Sequence, residues 1–178
     1  ASNIGMPGHP VDVTRIPYAD LVVDSVVADA TGVNGQPIGV TWMVSNIGIG
    51  VTNDAEWTDS VYLTTDPSGA TGLRLIGSFA HAGTLPLGQG YSRTAQVTIP
   101  ADVSGRQYVV VRTSGPFEFI YTGNNQNVSG PVDISFVPPP RGDLQVQTVV
   151  APATAQDSQT VEVTWTVKNN GPDDLSGN

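Results

Sequence analysis

Two histidines, His9 and His81, are the side chains of this 178-residue chain suited to take up a proton near neutral pH. Using either in catalysis would require a nucleophile and an orienting acid within hydrogen-bonding reach. Neither lies in such a pattern: His9 falls in a terminal strand piece and His81 in a turn before Gly83. Gly90-Tyr91-Ser92-Arg93 lacks the second glycine of a nucleophile elbow. Gly48-Ile49-Gly50 lacks the third glycine and the following helix that a phosphate cradle needs. These residues point away from an enzyme.

Carboxylates offer a different chemistry. Calcium is held by carboxylate and carbonyl oxygens, often in acidic linkers between sandwich domains. Asp20, Asp24 and Asp29 form one acidic group, and Asn53, Asp54, Glu56 and Asp59 a second. Carboxylates are mostly solvated surface groups, so the expectation is no cofactor, with calcium at Asp20, Asp24, Asp54, Glu56 and Asp59 as the candidate to test. Two short motifs bear on binding. Arg141-Gly142-Asp143 spells the tripeptide that integrins recognise and follows Pro138-Pro139-Pro140, a stiff segment that would display it. Asn127-Val128-Ser129 fits the glycosylation sequon, on what reads as an exposed loop before the last strand.

The elements that must position these residues repeat. Asp20 to Gly48 (DLVVDSVVADATGVNGQPIGVTWMVSNIG) lies without a gap over Asp143 to Gly171 (DLQVQTVVAPATAQDSQTVEVTWTVKNNG) after a shift of 123 residues, with about half the positions identical and Trp42 on Trp165. Self-similarity at a fixed long period marks a repeat array. The comparison weakens the first calcium group, because Gln147 and Pro152 replace Asp24 and Asp29. It also gives the integrin-type motif an ordinary explanation, since Asp143 is the opening residue of a repeat and Tyr18-Ala19-Asp20 stands at the equivalent place.

Within each copy, apolar residues alternate: Ile38, Val40, Trp42 and Val44 in the first, Val161, Val163, Trp165 and Val167 in the second. Period two with one apolar side predicts a half-buried strand. Trp42 and Trp165 are thus expected at the centres of their cores, with Met43 facing outward. Further strands are expected at Asp20–Val27, with a slip near Ser25 to Val27, and at Trp57–Thr65, Leu73–Ala80, Tyr91–Ile99, Gln107–Thr113 and Val128–Val137. Gly32 to Pro37 reads as a turn, as does Asp66-Pro67-Ser68-Gly69, and Phe117–Thr122 as an extra hairpin arm. About seven short strands with no helical periodicity predict an all-β, immunoglobulin-like β-sandwich.

Lys and Arg number 7 against 16 Asp and Glu, a net charge of −9, which disfavours nucleic acid and anionic membranes as partners. There is no cysteine for a disulfide or thiolate site, and no apolar run long enough to span a bilayer. Pro10 to Pro17 matches Pro131 to Pro138. Residues 1–19 are therefore expected to be the last strand of a preceding repeat, 20–140 a complete sandwich, and 141–178 the opening strands of a following one. The chain reads as a window on a longer array.

The runs DLVVDSVVADATGVNGQPIGVTWMVSNIG, WTDSVYLTTD, LIGSFAHAGTLPLGQGYSRTAQVTIP, YVVVRT and NNQNVS, in that order, resemble the cell-adhesion-related domain found in bacteria (CARDB), over residues 20 to about 137 and again from Asp143. The family pattern carries glutamates near its last hairpin, ahead of paired asparagines; Thr122 and Asn125 stand in those places. The resemblance implies an extracellular, non-enzymatic, immunoglobulin-like module strung in arrays on bacterial or archaeal surface proteins. Its partners would be neighbouring repeats or identical chains, with a glycan or surface ligand as the alternative of an adhesin, and strand exchange between subunits as a third reading.

Overall fold

The computed structural model describes residues 17–116, 118, 122–138 and 141–172. They divide into two compact units, residues 1–136 and 137–178. The described part of the first contains β1 (Leu21–Ala28), β2 (Thr31–Val33), β3 (Pro37–Asn46), β4 (Glu56–Thr64), β5 (Arg74–Ala82), β6 (Gly90–Thr98), β7 (Gly105–Thr113) and β8 (Gln126–Ser135). One sheet has the order β1-β3-β6 and the other β2-β8-β7-β4-β5. Pairing is antiparallel except between β2 and β8. The inward side chains of both sheets, among them Val40, Trp42 and Val44 of β3 and Val109 and Val111 of β7, merge in one core. The first unit is an immunoglobulin-like β-sandwich.

Trp42 lies fully buried at its centre, and Met43 faces outward. The indole stacks at a tilt on Phe79, ring centroids 5.3 Å apart, and its Nε1 donates to Asp59 Oδ2 at 2.8 Å. Asp59, the third residue of Trp57-Thr58-Asp59, occupies an inward position of β4 and is fully buried. Tyr91 Oη donates to the same carboxylate, 2.9 Å from both oxygens, and accepts from Trp57 Nε1 at 3.0 Å. A charge this deep is tolerable only when its oxygens are matched by donors. Here an indole and a phenol from the opposite sheet supply them.

The slip expected in β1 is a bulge. Val23 pairs with Val44 and Ser25 with Met43, so Asp24 has no partner and Val26 is carried to the inner side. β2 departs from expectation: residues read as a turn form a short strand parallel to β8. Gly32 permits it, since a Cβ there would come 2.9 Å from Ile38 Cγ2 and closer still to Ile99 Cδ1. The turn after β4 matches its sequence. Asp66 accepts from the backbone and hydroxyls of Ser68 and Thr71, bonds that hold its carboxyl far below the ordinary carboxylate range. Gly69, at φ 67°, lets that turn lie against Val110.

The second unit contains β9 (Leu144–Val150) and β10 (Thr164–Asn169), an antiparallel pair. Its register also slips once: Val167 pairs with Val146 and Thr166 with Thr148, leaving out Gln147, the residue 123 places after Asp24. Trp165, expected in a core, is 67% exposed. The physical reason is that no facing sheet stands over this hairpin among the described residues of its unit. The expected leader strand at Pro10 to Ile16 and most of the arm at Phe117–Thr122 lie outside the described residues.

Trp42→Ala is expected to destabilise the first unit by about 3–5 kcal/mol through cavity formation. Asp59→Ala should cost about 2–6 kcal/mol, because it strands two buried neutral donors; urea midpoints unchanged by either substitution would contradict this packing. Burial, with the nearby Asp59 charge, raises the Tyr91 phenol well above its ordinary 10.0. The unfolded chain therefore releases that proton first as pH rises past 10. The stability held below that pH should fall on further alkalinisation, with less slope in Tyr91→Phe.

Candidate functional site

Polar side chains from distant parts of the chain converge on the start of β1. Asn46, fully buried at the end of β3, accepts at Oδ1 from Asp20 N (3.1 Å) and Gly48 N (3.0 Å). Its Nδ2 donates to Gly50 O (2.8 Å) and Leu85 O (2.9 Å). One amide thereby fixes the leading segment, the β3–β4 loop and the β5–β6 loop. The close approach excludes a side chain at Gly48, whose Cβ would stand 2.5 Å from Asp20 N.

The loop after β7 is fastened to the same place. Glu118 Oε1 accepts from Leu21 N at 2.8 Å, and Asn124 Nδ2 donates to Asp20 Oδ1 at 2.7 Å. Val23 N donates to Asn124 O at 3.2 Å. Asn127 Nδ2 reaches the carbonyls of Val23 (2.9 Å) and Asp24 (3.1 Å) at the bulge, where a break in the ladder leaves backbone oxygens to be satisfied. Glu118 is 3% exposed. Burial pushes its carboxyl up; the Leu21 amide and the Asn125 side chain oppose that shift, and the Asp20 charge adds to it. A cavity of about 650 Å³ opens beside these groups, lined by Ser114, Gly115, Glu118, Thr122 and Asn125 among others.

The acidic residues singled out in the sequence are dispersed. Asp20 joins the convergence just described, while Asp24, Asp29, Asp54 and Glu56 are exposed. Asp59 belongs to the core, where Trp42 and Tyr91 occupy its oxygens, which removes it from a surface group with Asp54 and Glu56. Among the described residues no three His, Asp or Glu side chains gather in a metal-binding group. Asn127 stands on β8 rather than on a free loop, and its amide nitrogen, the atom a glycan would take, holds the bulge. Arg141, Gly142 and Asp143 lead into β9: Asp143 N donates to Asn169 Oδ1 at 2.9 Å, and Asn170 N to Asp143 O at 2.7 Å. His81 stacks on Trp57 and Tyr91, centroids 4.0 and 4.1 Å away, with Nε2 3.1 Å from Gly83 O. His9 lies outside the described residues.

Glu118 was not singled out by the sequence reading. The signal was a lone acid inside an apolar run, Pro116-Phe117-Glu118-Phe119-Ile120-Tyr121, six residues before Asn124-Asn125.

No family model and no curated protein matches the chain. Among solved structures it is similar to a CARDB domain from Pyrococcus furiosus, determined in complex with di-metal ions, at 14% identity and a TM-score of 0.49, covering 70% of this chain and 100% of that one. It is also similar to beta-glucosidase from Listeria innocua with glucose, at 17% identity and a TM-score of 0.40, over 67% of this chain but 16% of the enzyme. The sporulation control protein of Bacillus subtilis gives 14% identity and a TM-score of 0.42, over 67% of this chain and 50% of that one.

Asn127→Ala should leave the bulge carbonyls unpaired and lower stability by about 1–3 kcal/mol. A thermal midpoint equal to that of the parent chain would show that the amide does not hold β1 to β8.

Proposed function

We propose that this chain is a non-enzymatic structural repeat, one link of an extracellular stalk, adhesin or filament. The observation that supports this most directly is the recurrence of one local design. Asp20 N to Asn46 Oδ1 and Gly48 N to Asn46 Oδ1 return as Asp143 N to Asn169 Oδ1 and Gly171 N to Asn169 Oδ1. Ile47 N to Asp20 O returns as Asn170 N to Asp143 O, and the skipped residue of the bulge returns at the same offset. A latch at the head of every copy fixes the leading segment close to its sandwich. Proline-rich connectors, such as Pro138-Pro139-Pro140, are stiff spacers. Length and stiffness follow from those two features, without a catalytic group. His81 is used in ring stacking and Asp59 in hydrogen bonds to Trp42 and Tyr91.

A second reading has its own observation. Leu144, Val146, Trp165 and Val167 are between 46% and 67% exposed, whereas their counterparts Leu21, Val23, Trp42 and Val44 are buried. An apolar hairpin of this kind can be completed by strands of a neighbouring subunit.

The deciding measurement is the mass of the native polypeptide with peptide mapping beyond Asn178, paired with sedimentation of the 178-residue chain. A mass several times 18.5 kDa, with peptides continuing the second copy, supports the covalent array. A native mass near 18.5 kDa with concentration-dependent fibres would replace it by strand exchange. In the monomeric chain Trp165 should be readily quenched by acrylamide and Trp42 protected.

A further inference from the structure

The outer face of the small sheet is unlike what an acidic chain normally shows to water. An antiparallel sheet with one side on the core usually carries polar and charged residues on the other. Here β1, β3 and β6 turn Val27, Thr41 and Thr94 outward in one row, and Ser25, Met43 and Ser92 in the next. Val27 is 64% exposed and Met43 45%, and Ile47, which follows on the same side just past β3, is 59% exposed. The Thr41 and Thr94 hydroxyls share a hydrogen bond of 2.9 Å. None of these side chains is charged. Asp24, at the bulge, and Asp29, which accepts from Gly39 N at 2.7 Å, lie at the margin.

The ladder does not dictate this composition. The second hairpin has the same pairing and the same skipped residue, yet 123 positions on it carries Thr166 for Met43, Lys168 for Ser45 and Asn170 for Ile47. A polar outer side with a charge on it builds the same two strands. An apolar centre with charges kept to the margin is instead the composition of a protein–protein contact, where Met is enriched and Asp, Glu and Lys are depleted.

We infer that the outer face of β1-β3-β6 is a contact between two copies of this chain, packed sheet on sheet about a twofold axis. Charge selects that occupant. Two chains of net charge −9 repel one another, and on this face they can meet without burying a carboxylate. A twofold contact sets one face against itself, so apolar residues meet apolar ones and hydroxyls meet hydroxyls. Packed sheets stand about 10 Å apart with their strands within about 30° of each other. Three strands about 4.8 Å apart and roughly 30 Å long offer on the order of 500 Å² per copy, about 1,000 Å² in all, the low end for a specific interface. The association of a single link is therefore weak and reversible. The contact lies wholly in the first unit and stands whether or not the chain belongs to an array.

The test is sedimentation equilibrium of the 178-residue chain in EDTA, from micromolar to millimolar protein, at low and high NaCl. A monomer–dimer equilibrium with a Kd of roughly 10–100 μM is expected, tighter at high salt because screening weakens the repulsion between like-charged chains. Met43→Glu should weaken the dimer about tenfold or more, with a thermal midpoint within about 2 °C of the parent, because the side chain lies outside the core. Trp165→Lys, on the open side of the second hairpin, should dimerise like the parent. A parent chain that stays monomeric at millimolar concentration overturns the proposal, as does an unchanged Kd in Met43→Glu. A dimer lost in Trp165→Lys overturns it too, and assigns association to the hairpin. Should Met43→Glu fail to fold, Ser45→Lys decides: it brings the lysine of the aligned position into the face, and an unchanged Kd rejects the contact.

Discussion

The buried carboxylate of Asp59 is the constraint on which the sandwich depends. It stands on β4 in one sheet and is held by Trp42 of β3 and Tyr91 of β6 in the other. Apolar contacts between two sheets are not directional, and several offsets bury nearly the same area. An ionised group with two donors at fixed distances admits one offset. The low dielectric that makes an unmatched charge so costly also makes this match selective. Phe79 and His81 then close over the donors from β5, so the edge strand of the large sheet covers the polar centre of the core.

Much of this was legible in the sequence and part was not, for reasons visible at particular residues. Alternation placed β3 and β4 within a residue or two, and the irregularity near Ser25 became a bulge at Asp24. The same alternation put Asp59 on the inner side, in line with Trp57, Val61 and Leu63. The acidic residues around it drew it instead into a surface group. Periodicity reports where a side chain points; residue type reports only where such side chains usually go, and the two conflicted here. β2 was hidden because three residues are too few to show a period, and its pairing with β8 spans a hundred residues of chain. Glu118 was hidden because nothing local says which donor a buried acid will meet.

The two hairpins show which part of their shared design is local. β9 and β10 keep the pairing, the bulge and the Asn169 latch with no second sheet described over them. Their backbone bonds run between residues of one hairpin and need no distant partner. Trp165 and Trp42, aligned by the 123-residue shift, differ completely in exposure. Burial is therefore a property of the facing strands, and the latch a property of the hairpin itself. An isolated two-stranded pair is marginal in water, and the apolar side of this one is open among the described residues of its unit.

Both fixtures at the head of the first unit act on the same few residues. Asn46 restrains Asp20 and the loop to Gly50 from the β3 side, and Asn124 and Glu118 restrain Asp20 and Leu21 from the β7 side. A strand gripped on one side only could peel from its sheet under tension, because each ladder bond would load in turn. Gripping it from both sheets makes the bonds load together, and a force along the chain must then break several at once. The polar groups cost free energy to bury, yet they sit where the chain enters the sandwich. Their location, rather than their net contribution to stability, is what distinguishes this end of the sandwich from an ordinary loop cluster.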